Sequence, residues 1–166
     1  MKTRLILTII LVFALIDQSK HFYLNIYTHS LPSGIYYRID KSPNIGDYAA
    51  SCLTKEIAEY GLKRGYLGRG DCSTGIIPVM KVIKGAPGTQ FYLKNKIFRV
   101  EAINQEYILK DVDSIGRPLK KFYKTDLGFI KKQNYILLSN YVPNSWDSRY
   151  WGPVPIEFIL KPLITW

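Results

Sequence analysis

Beyond residue 20, short runs of Ile, Val, Tyr and Phe alternate with clusters of turn residues. β-branched and aromatic residues favour strands, whereas Gly, Pro, Asn and Asp tolerate tight or left-handed backbone. Strands joined by short turns are typical of an antiparallel sheet. The predicted strands are Tyr23–Tyr27, Ile35–Ile39, Tyr48–Leu53, Ile76–Ile83, Gln90–Leu93, Ile97–Glu101, Tyr107–Leu109 and Tyr135–Ser139.

One helix is predicted after residue 20. It begins at Thr54, which can cap it, and ends at Lys63, with Gly65 just beyond its end. The last segment, Pro153–Trp166, is apolar but contains three prolines, so we expect it to be extended and packed rather than helical. The predicted fold class is therefore mainly β, an antiparallel domain with a small helical insert.

The N-terminus combines two cations with the apolar run Leu5–Ile16, and the polar stretch Asp17–His21 follows. This pattern indicates an export signal. As a helix the run would rise about 18 Å, against a bilayer core of about 30 Å, so a single span needs the flanks to about Lys20. A retained membrane anchor over residues 1–20 is favoured because no A-x-A cleavage pattern follows the run, and a cleaved signal peptide is the alternative.

The topology follows from the two N-terminal cations, which favour a cytoplasmic N-terminus. Residues 21–166 would then form an extracytoplasmic domain, in the periplasm, held at the inner membrane by one span. In that oxidising compartment, pairing of Cys52 with Cys72 is chemically reasonable. The alternative is a pair of buried free thiols.

The net charge of the chain indicates which classes of partner it can bind. The chain has 23 Lys and Arg against 13 Asp and Glu, a net charge of +10, which favours anionic partners such as lipid headgroups or nucleic acid. The basic residues are scattered, and no basic motif with interleaved aromatic residues accompanies them. We therefore expect membrane lipid as a partner and no nucleic acid.

Lys81 breaks the polar and apolar pattern of the predicted β domain. It lies within Ile76–Ile83, the most apolar stretch after the N-terminus, on the strand face that carries Val79 and Ile83. Burial lowers the pKa of a lysine and can make a neutral amine available as a base. A lysine at a strand edge that reaches water is the alternative.

Ser30 lies where a predicted strand gives way to a turn. Pro32 prevents regular continuation of the strand and Gly34 frees the backbone, so this corner can expose a hydroxyl. Ordinary turn chemistry is the alternative interpretation. The neighbouring His29 is a poor base for Ser30, because adjacent residues of an extended chain point to opposite faces.

Metal and cofactor sites are not expected. The chain contains two histidines and two cysteines, and they lack the spacing of zinc ligands. No Gly-rich phosphate-binding motif is present either.

Taken together, the motifs resemble those of type I signal peptidases, the S26 serine peptidases, and most closely the TraF-type conjugal-transfer branch that matures pilin subunits. Order, spacing, the N-terminal apolar run and two cysteines flanking a helical insert agree with this resemblance. The matching segments are THSLPSGIY (28–36) with the nucleophile box, MKVI (80–83) and GAPG (85–88) with the lysine box, NSWDSRYWGP (144–153) with the third box, and DSIGRPL (113–119) and KPLITW (161–166) with the conjugal branch.

The resemblance implies a role for each matching residue. Ser30 would be the nucleophile and Lys81 the general base. Thr28 would donate a hydrogen bond to the oxyanion, together with the backbone N–H of Ser30. Ser145 would orient the lysine amine.

The resemblance also makes Asp147 and Arg149 a supporting pair that holds the third box near the Ser/Lys dyad. Two positions depart from the general signal peptidases. Val82 follows the lysine where those enzymes carry a basic residue, and Thr89 replaces an acidic residue at the end of their turn. Both departures leave the dyad intact and weaken an assignment to general secretion.

The implied function is a membrane-bound serine endopeptidase that matures a conjugative pilin precursor, with cyclisation of the product as a further implication. Its expected partner is that precursor or another protein that bears a signal peptide. Two alternatives stay open: a general type I signal peptidase for exported preproteins, and a catalytically silent scaffold of a conjugation or secretion complex.

Overall fold

The computed structural model describes residues 22–25 and 29–165 of the chain. Its helices are α1 (Lys55–Arg64), α2 (Ser148–Trp151) and a 3-10 helix (Ile156–Phe158). Its strands are β1 (Phe22–Asn25), β2 (Gly34–Arg38), β3 (Tyr48–Ser51), β4 (Val79–Gly85), β5 (Gln90–Lys94), β6 (Ile97–Val100), β7 (Glu106–Ile108), β8 (Leu127–Phe129), β9 (Asn134–Leu138), β10 (Val154–Pro155) and β11 (Ile159–Thr165).

The strands form two sheets. The larger has the order β1-β2-β11-β3-β4-β9-β10, and the smaller has the order β7-β6-β5-β8. All the strand pairs found among the described residues are antiparallel. The prediction of a mainly antiparallel β fold with a small helical insert is confirmed, with α1 inserted between β3 and β4.

The predicted anchor over residues 1–20 lies outside the described residues. Within the described part of the chain, none of the helices is long and apolar enough to cross a bilayer.

Each predicted strand overlaps an observed one, but the predicted start of β4 was wrong. It begins at Val79 and not at Ile76. Ile76 and Ile77 instead pair within the insert, where Ile76 bridges to Arg69 and the Ile77 amide donates to the carbonyl of Gly68 at 2.9 Å. Local hydrophobicity could not distinguish this pairing from a longer strand.

Strands β8 and β10 were missed because they are only 3 and 2 residues long. The C-terminal segment is extended, as predicted, and its strand β11 lies inside the larger sheet between β2 and β3. Pro162 is tolerated there because the register with β3 shifts between Ile159 and Pro162, and a proline needs such an irregularity since it has no N–H to donate.

Helix α1 matches its prediction closely, but Thr54 at its N-cap makes no side-chain capping hydrogen bond. Gly65 ends the helix in a left-handed conformation, with φ 73°, as helix C-termini favour. Helix α2 and the 3-10 helix were not predicted, because 4 and 3 residues are too few to show a helical period. The sulfur atoms of Cys52 and Cys72 are bonded as a disulfide that encloses α1.

Strand β9 joins the two main parts of the core. Tyr135 and Leu137 point to the cluster beneath α1. Ile136 and Leu138, on the opposite face, pack against the smaller sheet. Alternation along a strand produces this two-sided burial, which fixes the smaller sheet against the strand that neighbours β4.

Candidate active site

Lys81 lies in the middle of the larger sheet, on β4, with β3 on one side and β9 on the other. Only 6% of the residue is exposed, so the alternative of a lysine that reaches water is wrong. Its Nζ donates to Ser30 Oγ at 2.5 Å and to Ser145 Oγ at 3.0 Å. The amine therefore lies between two hydroxyls from distant parts of the chain.

The charge state of this amine is set mainly by its burial. Desolvation lowers the pKa of Lys81 to about 8, with the negative charge of Asp147 opposing the shift and the positive charge of Arg149 adding to it. A lysine in water has its pKa near 10.5. A substantial fraction of the amine is therefore neutral in mildly basic solution and can accept a proton.

Ser30 lies in the turn between β1 and β2, and its backbone is tied to the end of β9. Ser139 Oγ donates to the carbonyl of Ser30 at 3.0 Å. The same hydroxyl accepts from the amides of Tyr141 at 3.2 Å and Val142 at 3.3 Å. Ser139 is buried, so it holds the nucleophile turn and the chain after β9 together.

The turn is also held from its other side. Asn25 Nδ2 donates to the carbonyls of Leu31 at 2.9 Å and Pro32 at 3.0 Å. The Tyr36 hydroxyl donates to the carbonyl of Pro32 at 2.6 Å. The Leu31 side chain is buried in the core beside Val82 of β4. These contacts fix the corner that presents Ser30 to the amine.

The residues that position this turn were not predicted from the sequence, although a signal was present. Ser139 follows four buried hydrophobic residues of β9, Tyr135–Leu138, and it breaks an apolar run in the same way as Lys81 does. Asn25 is a buried polar residue at the end of a strand. A polar residue that interrupts an apolar strand is a candidate for a buried hydrogen-bonding role.

Arg149 uses all five of its N–H donors, four of them to hold the loop that contains Ser145 and one to bind β7. Its Nε and Nη2 bind the carboxylate of Asp147 at 2.8 and 3.0 Å. The remaining bonds go to the carbonyls of Ser145 at 2.7 Å, Pro143 at 2.7 Å and Ile108 at 2.8 Å. The pair is almost fully buried, with 1% of Arg149 and 0% of Asp147 exposed, so its two charges must balance each other.

The dyad opens into a cleft of about 720 Å³. Most of the cleft is apolar, and Lys81 is the one charged side chain among the described residues that line it. The lining residues are Leu24, Asn25, Ser30, Tyr66, Leu67, Gly68, Ile77, Pro78, Val79, Met80, Lys81, Ser145 and Trp146.

The structure therefore brings Ser30 and Ser145 into direct contact with Lys81 and places the Asp147–Arg149 pair behind Ser145. Thr28, the predicted oxyanion donor, lies outside the described residues. A neutral amine next to a hydroxyl can remove its proton and create a nucleophile. Among the residues that the structure describes, no three His, Cys, Asp or Glu side chains are grouped so that they could hold a metal ion.

Comparison with known proteins gives similarity along most of the chain. The family model described as "Signal peptidase, peptidase S26" matches residues 3–161. The chain is 28% identical over 145 residues to the plasmid transfer protein TraF of Escherichia coli, covering 84% of this chain and 80% of that protein. It is 31% identical over 136 residues to the probable conjugal transfer protein TraF of Sinorhizobium fredii, covering 80% and 70%. A conjugal transfer protein TraF of Agrobacterium tumefaciens is 28% identical over 145 residues, covering 83% and 80%.

Proposed function

Because this chain belongs to the peptidase S26 family of signal peptidases, as a TraF-type member, we propose that it is a serine endopeptidase that matures a conjugative pilin precursor. The observation that carries this proposal is the contact between the buried Lys81 amine and Ser30 Oγ, at 2.5 Å. The similar proteins named for plasmid and conjugal transfer support the role in conjugation.

The first half of the reaction acylates the enzyme. With Lys81 neutral, the hydrogen bond to Ser30 reverses, and the serine hydroxyl donates its proton to the amine as its oxygen attacks the scissile carbonyl. Ser145 holds the amine in line through its 3.0 Å contact. Thr28 and the Ser30 amide stabilise the oxyanion. Protonated Lys81 then gives its proton to the leaving amine, and the other half of the substrate remains as an ester on Ser30.

The second half resolves that ester. Water can attack it with Lys81 again as the base, which releases a linear acid. The substrate's own N-terminal amine can attack instead. This closes a ring through a new peptide bond and incorporates no water into the product. A cyclic product therefore lacks the mass of one water relative to the linear one, and mass spectrometry of the processed pilin separates the two outcomes.

Placement at the membrane is part of the proposal. Residues 1–20 anchor the chain in the inner membrane, and residues 21–166 form the peptidase domain on its periplasmic side, in contact with lipid headgroups. Ser30 follows the anchor by about ten residues, and an extended chain of that length spans at most about 35 Å. Cleavage close to the membrane surface suits a precursor that is itself embedded in the membrane.

The test is processing of a co-expressed pilin precursor by three variants. Ser30→Ala and Lys81→Ala should both abolish processing, because each removes one partner of the proton transfer. Lys84→Ala is the matched control, since Lys84 lies on the same strand and is not among the residues that line the cleft. It should process normally. Circular dichroism and disulfide retention check that all three variants are folded.

The same experiment decides between the alternatives. Retained processing with either Ser30→Ala or Lys81→Ala would refute the dyad, and conjugative transfer that persists in both variants would favour a scaffold. Processing of unrelated exported preproteins by the wild-type chain, at a rate similar to that for pilin, would favour a general signal peptidase.

A further inference from the structure

One wall of the cleft comes from the disulfide-closed insert and not from β4 or the turn, which carry Lys81 and Ser30. Tyr66, Leu67 and Gly68 follow α1 and line the cleft together with Ile77 and Pro78. We propose that Tyr66 and Leu67 determine specificity by forming a subsite for one bulky apolar side chain of the substrate. This inference rests on the proposed peptidase function and deepens it by naming a property of the substrate.

The backbone of this wall is fixed by hydrogen bonds. The amides of Tyr66 and Leu67 both donate to the carbonyl of Gly61, at 2.9 and 3.3 Å. The amide of Ile77 donates to the carbonyl of Gly68 at 2.9 Å. Since β4 begins two residues after Ile77 and carries Lys81, the wall is tied directly to the strand that holds the base.

The ring of Tyr66 is locked in place by the DSIGRPL segment (113–119). Its hydroxyl donates to Asp113 at 2.6 Å. Asp113 also accepts from Arg117 Nε at 2.7 Å, and Arg117 Nη2 donates to the carbonyl of Arg64 at 2.9 Å, at the end of α1. Because the Tyr66 hydroxyl is hydrogen-bonded to Asp113, the part of Tyr66 that lines the cleft is its apolar ring.

Leu67 and Trp146 complete the same wall. The rings of Tyr66 and Trp146 lie 5.2 Å apart. A Cβ at Gly61 of α1 would come within 2.5 Å of Leu67 and 2.8 Å of Trp146. Both side chains are therefore packed tightly onto the helix and cannot retreat into it. Trp146 follows Ser145 in the chain, so this wall lies next to the hydroxyl that contacts the lysine.

The chemistry of the cleft favours an apolar occupant. Ile77, Pro78 and Met80 also line the cleft, and Lys81 is the one charged side chain among the described residues of the lining. A carboxylate or ammonium seated against this wall would lose water without gaining a partner. A Leu or Phe side chain would instead bury its apolar surface, which is worth about 10-fold or more in affinity relative to Ala.

The test measures binding, so that it does not depend on turnover. The full-length chain with Ser30→Ala, in detergent micelles, is titrated with dansylated peptides of Ala and Gly. Each peptide carries a single Phe, Leu or Asp at a different position, and fluorescence anisotropy gives Kd. At one position, Phe and Leu should bind at least about 10-fold tighter than Ala, and Asp should bind more weakly than Ala.

Further substitutions on the Ser30→Ala background assign that preference to the wall. Leu67→Ala and Tyr66→Ala should each remove most of it, whereas Tyr66→Phe should keep it because the ring remains. Tyr92→Ala, on the smaller sheet away from the cleft, is the control and should keep it too. Near-ultraviolet circular dichroism checks that each variant is folded. Leu67→Ala has the further advantage that it leaves the hydrogen bond from Tyr66 to Asp113 intact.

The absence of any positional preference would overturn the inference. So would a preference that survives both Leu67→Ala and Tyr66→Ala, or one that is lost equally in Tyr92→Ala. Failure of the wild-type chain to process pilin would count against the proposed function only, because the binding preference is measured independently of cleavage.

Discussion

Replacing Lys81 with Met should change stability in a way that depends on pH. Met has nearly the shape of Lys and no charge. The substitution therefore abolishes the free-energy penalty that the folded state carries for burying an ammonium group. Since burial lowers the pKa of Lys81 from 10.5 to about 8, below pH 8 both the folded and the unfolded chain hold the proton. The folded state then carries the full penalty. Between pH 8 and 10.5 the folded chain loses the proton first, and the penalty fades as pH rises.

The magnitude follows from the shift. One pKa unit corresponds to about 1.4 kcal/mol, so the penalty is about 3 kcal/mol at pH 7 and about 1 kcal/mol at pH 10. The substitution also removes the hydrogen bonds from Lys81 to Ser30 and Ser145, which together contribute about 2 kcal/mol at either pH. Lys81→Met should therefore be about 1 kcal/mol more stable than the wild type at pH 7 and about 1 kcal/mol less stable at pH 10.

The measurement is guanidinium denaturation of the full-length chain in detergent at both pH values, followed by tryptophan fluorescence. Lys94→Met is the control, because Lys94 is exposed on β5 and the difference from wild type should not vary with pH. If the advantage of Lys81→Met stays constant or grows between pH 7 and pH 10, the amine is not a buried group with a lowered pKa. Lys81 would then not be the general base.

The pKa of Lys81 also predicts that kcat/KM rises about tenfold between pH 7 and pH 9, as the amine becomes neutral; a flat profile in peptide cleavage assays would exclude Lys81 as the base. Ser139→Ala should lower kcat about tenfold or more with little change in KM, because Ser139 fixes the Ser30 carbonyl; unchanged kcat would show that the turn is held without it. Replacing Cys52 and Cys72 with Ser should lower the free energy of unfolding by about 3 kcal/mol, measured by denaturation, since the disulfide closes a loop of 20 residues. Complete thiol labelling of the unfolded, unreduced wild type would show instead that no such bond exists.

Strand positions were predictable where the local pattern was strong. Tyr48–Ser51, Gln90–Lys94 and Ile97–Val100 lie within about a residue or two of their predicted bounds. The start of β4 was not predictable, because Ile76 and Ile77 are equally compatible with the strand and with the pairing inside the insert. Short elements such as α2 were missed, since their ends are set by contacts such as the Asp147 cap and not by a period.

The candidate site was predictable in part. Lys81 and Ser30 could be predicted as candidate residues because a lysine is unusual in the most apolar strand and a serine at a turn can expose its hydroxyl. The resemblance to signal peptidases added Ser145 to the same site. The supporting contacts of Ser139 and Asn25 escaped notice because each depends on the position of a carbonyl elsewhere in the fold. The wall formed by Tyr66 and Leu67 escaped for the same reason.

The sequence by itself determined which residue types alternate along each strand, where the turns fall and which residues are chemically unusual. These properties depend on neighbours within a few positions. Only the tertiary structure decided that Lys81 is buried, and that it meets Ser30 and Ser145 across sequence separations of 51 and 64 residues. The order of strands in the larger sheet sets those distances, because β3 and β9 enclose β4 and exclude water from the amine. Burial is the main cause of the lowered pKa on which the proposed chemistry depends.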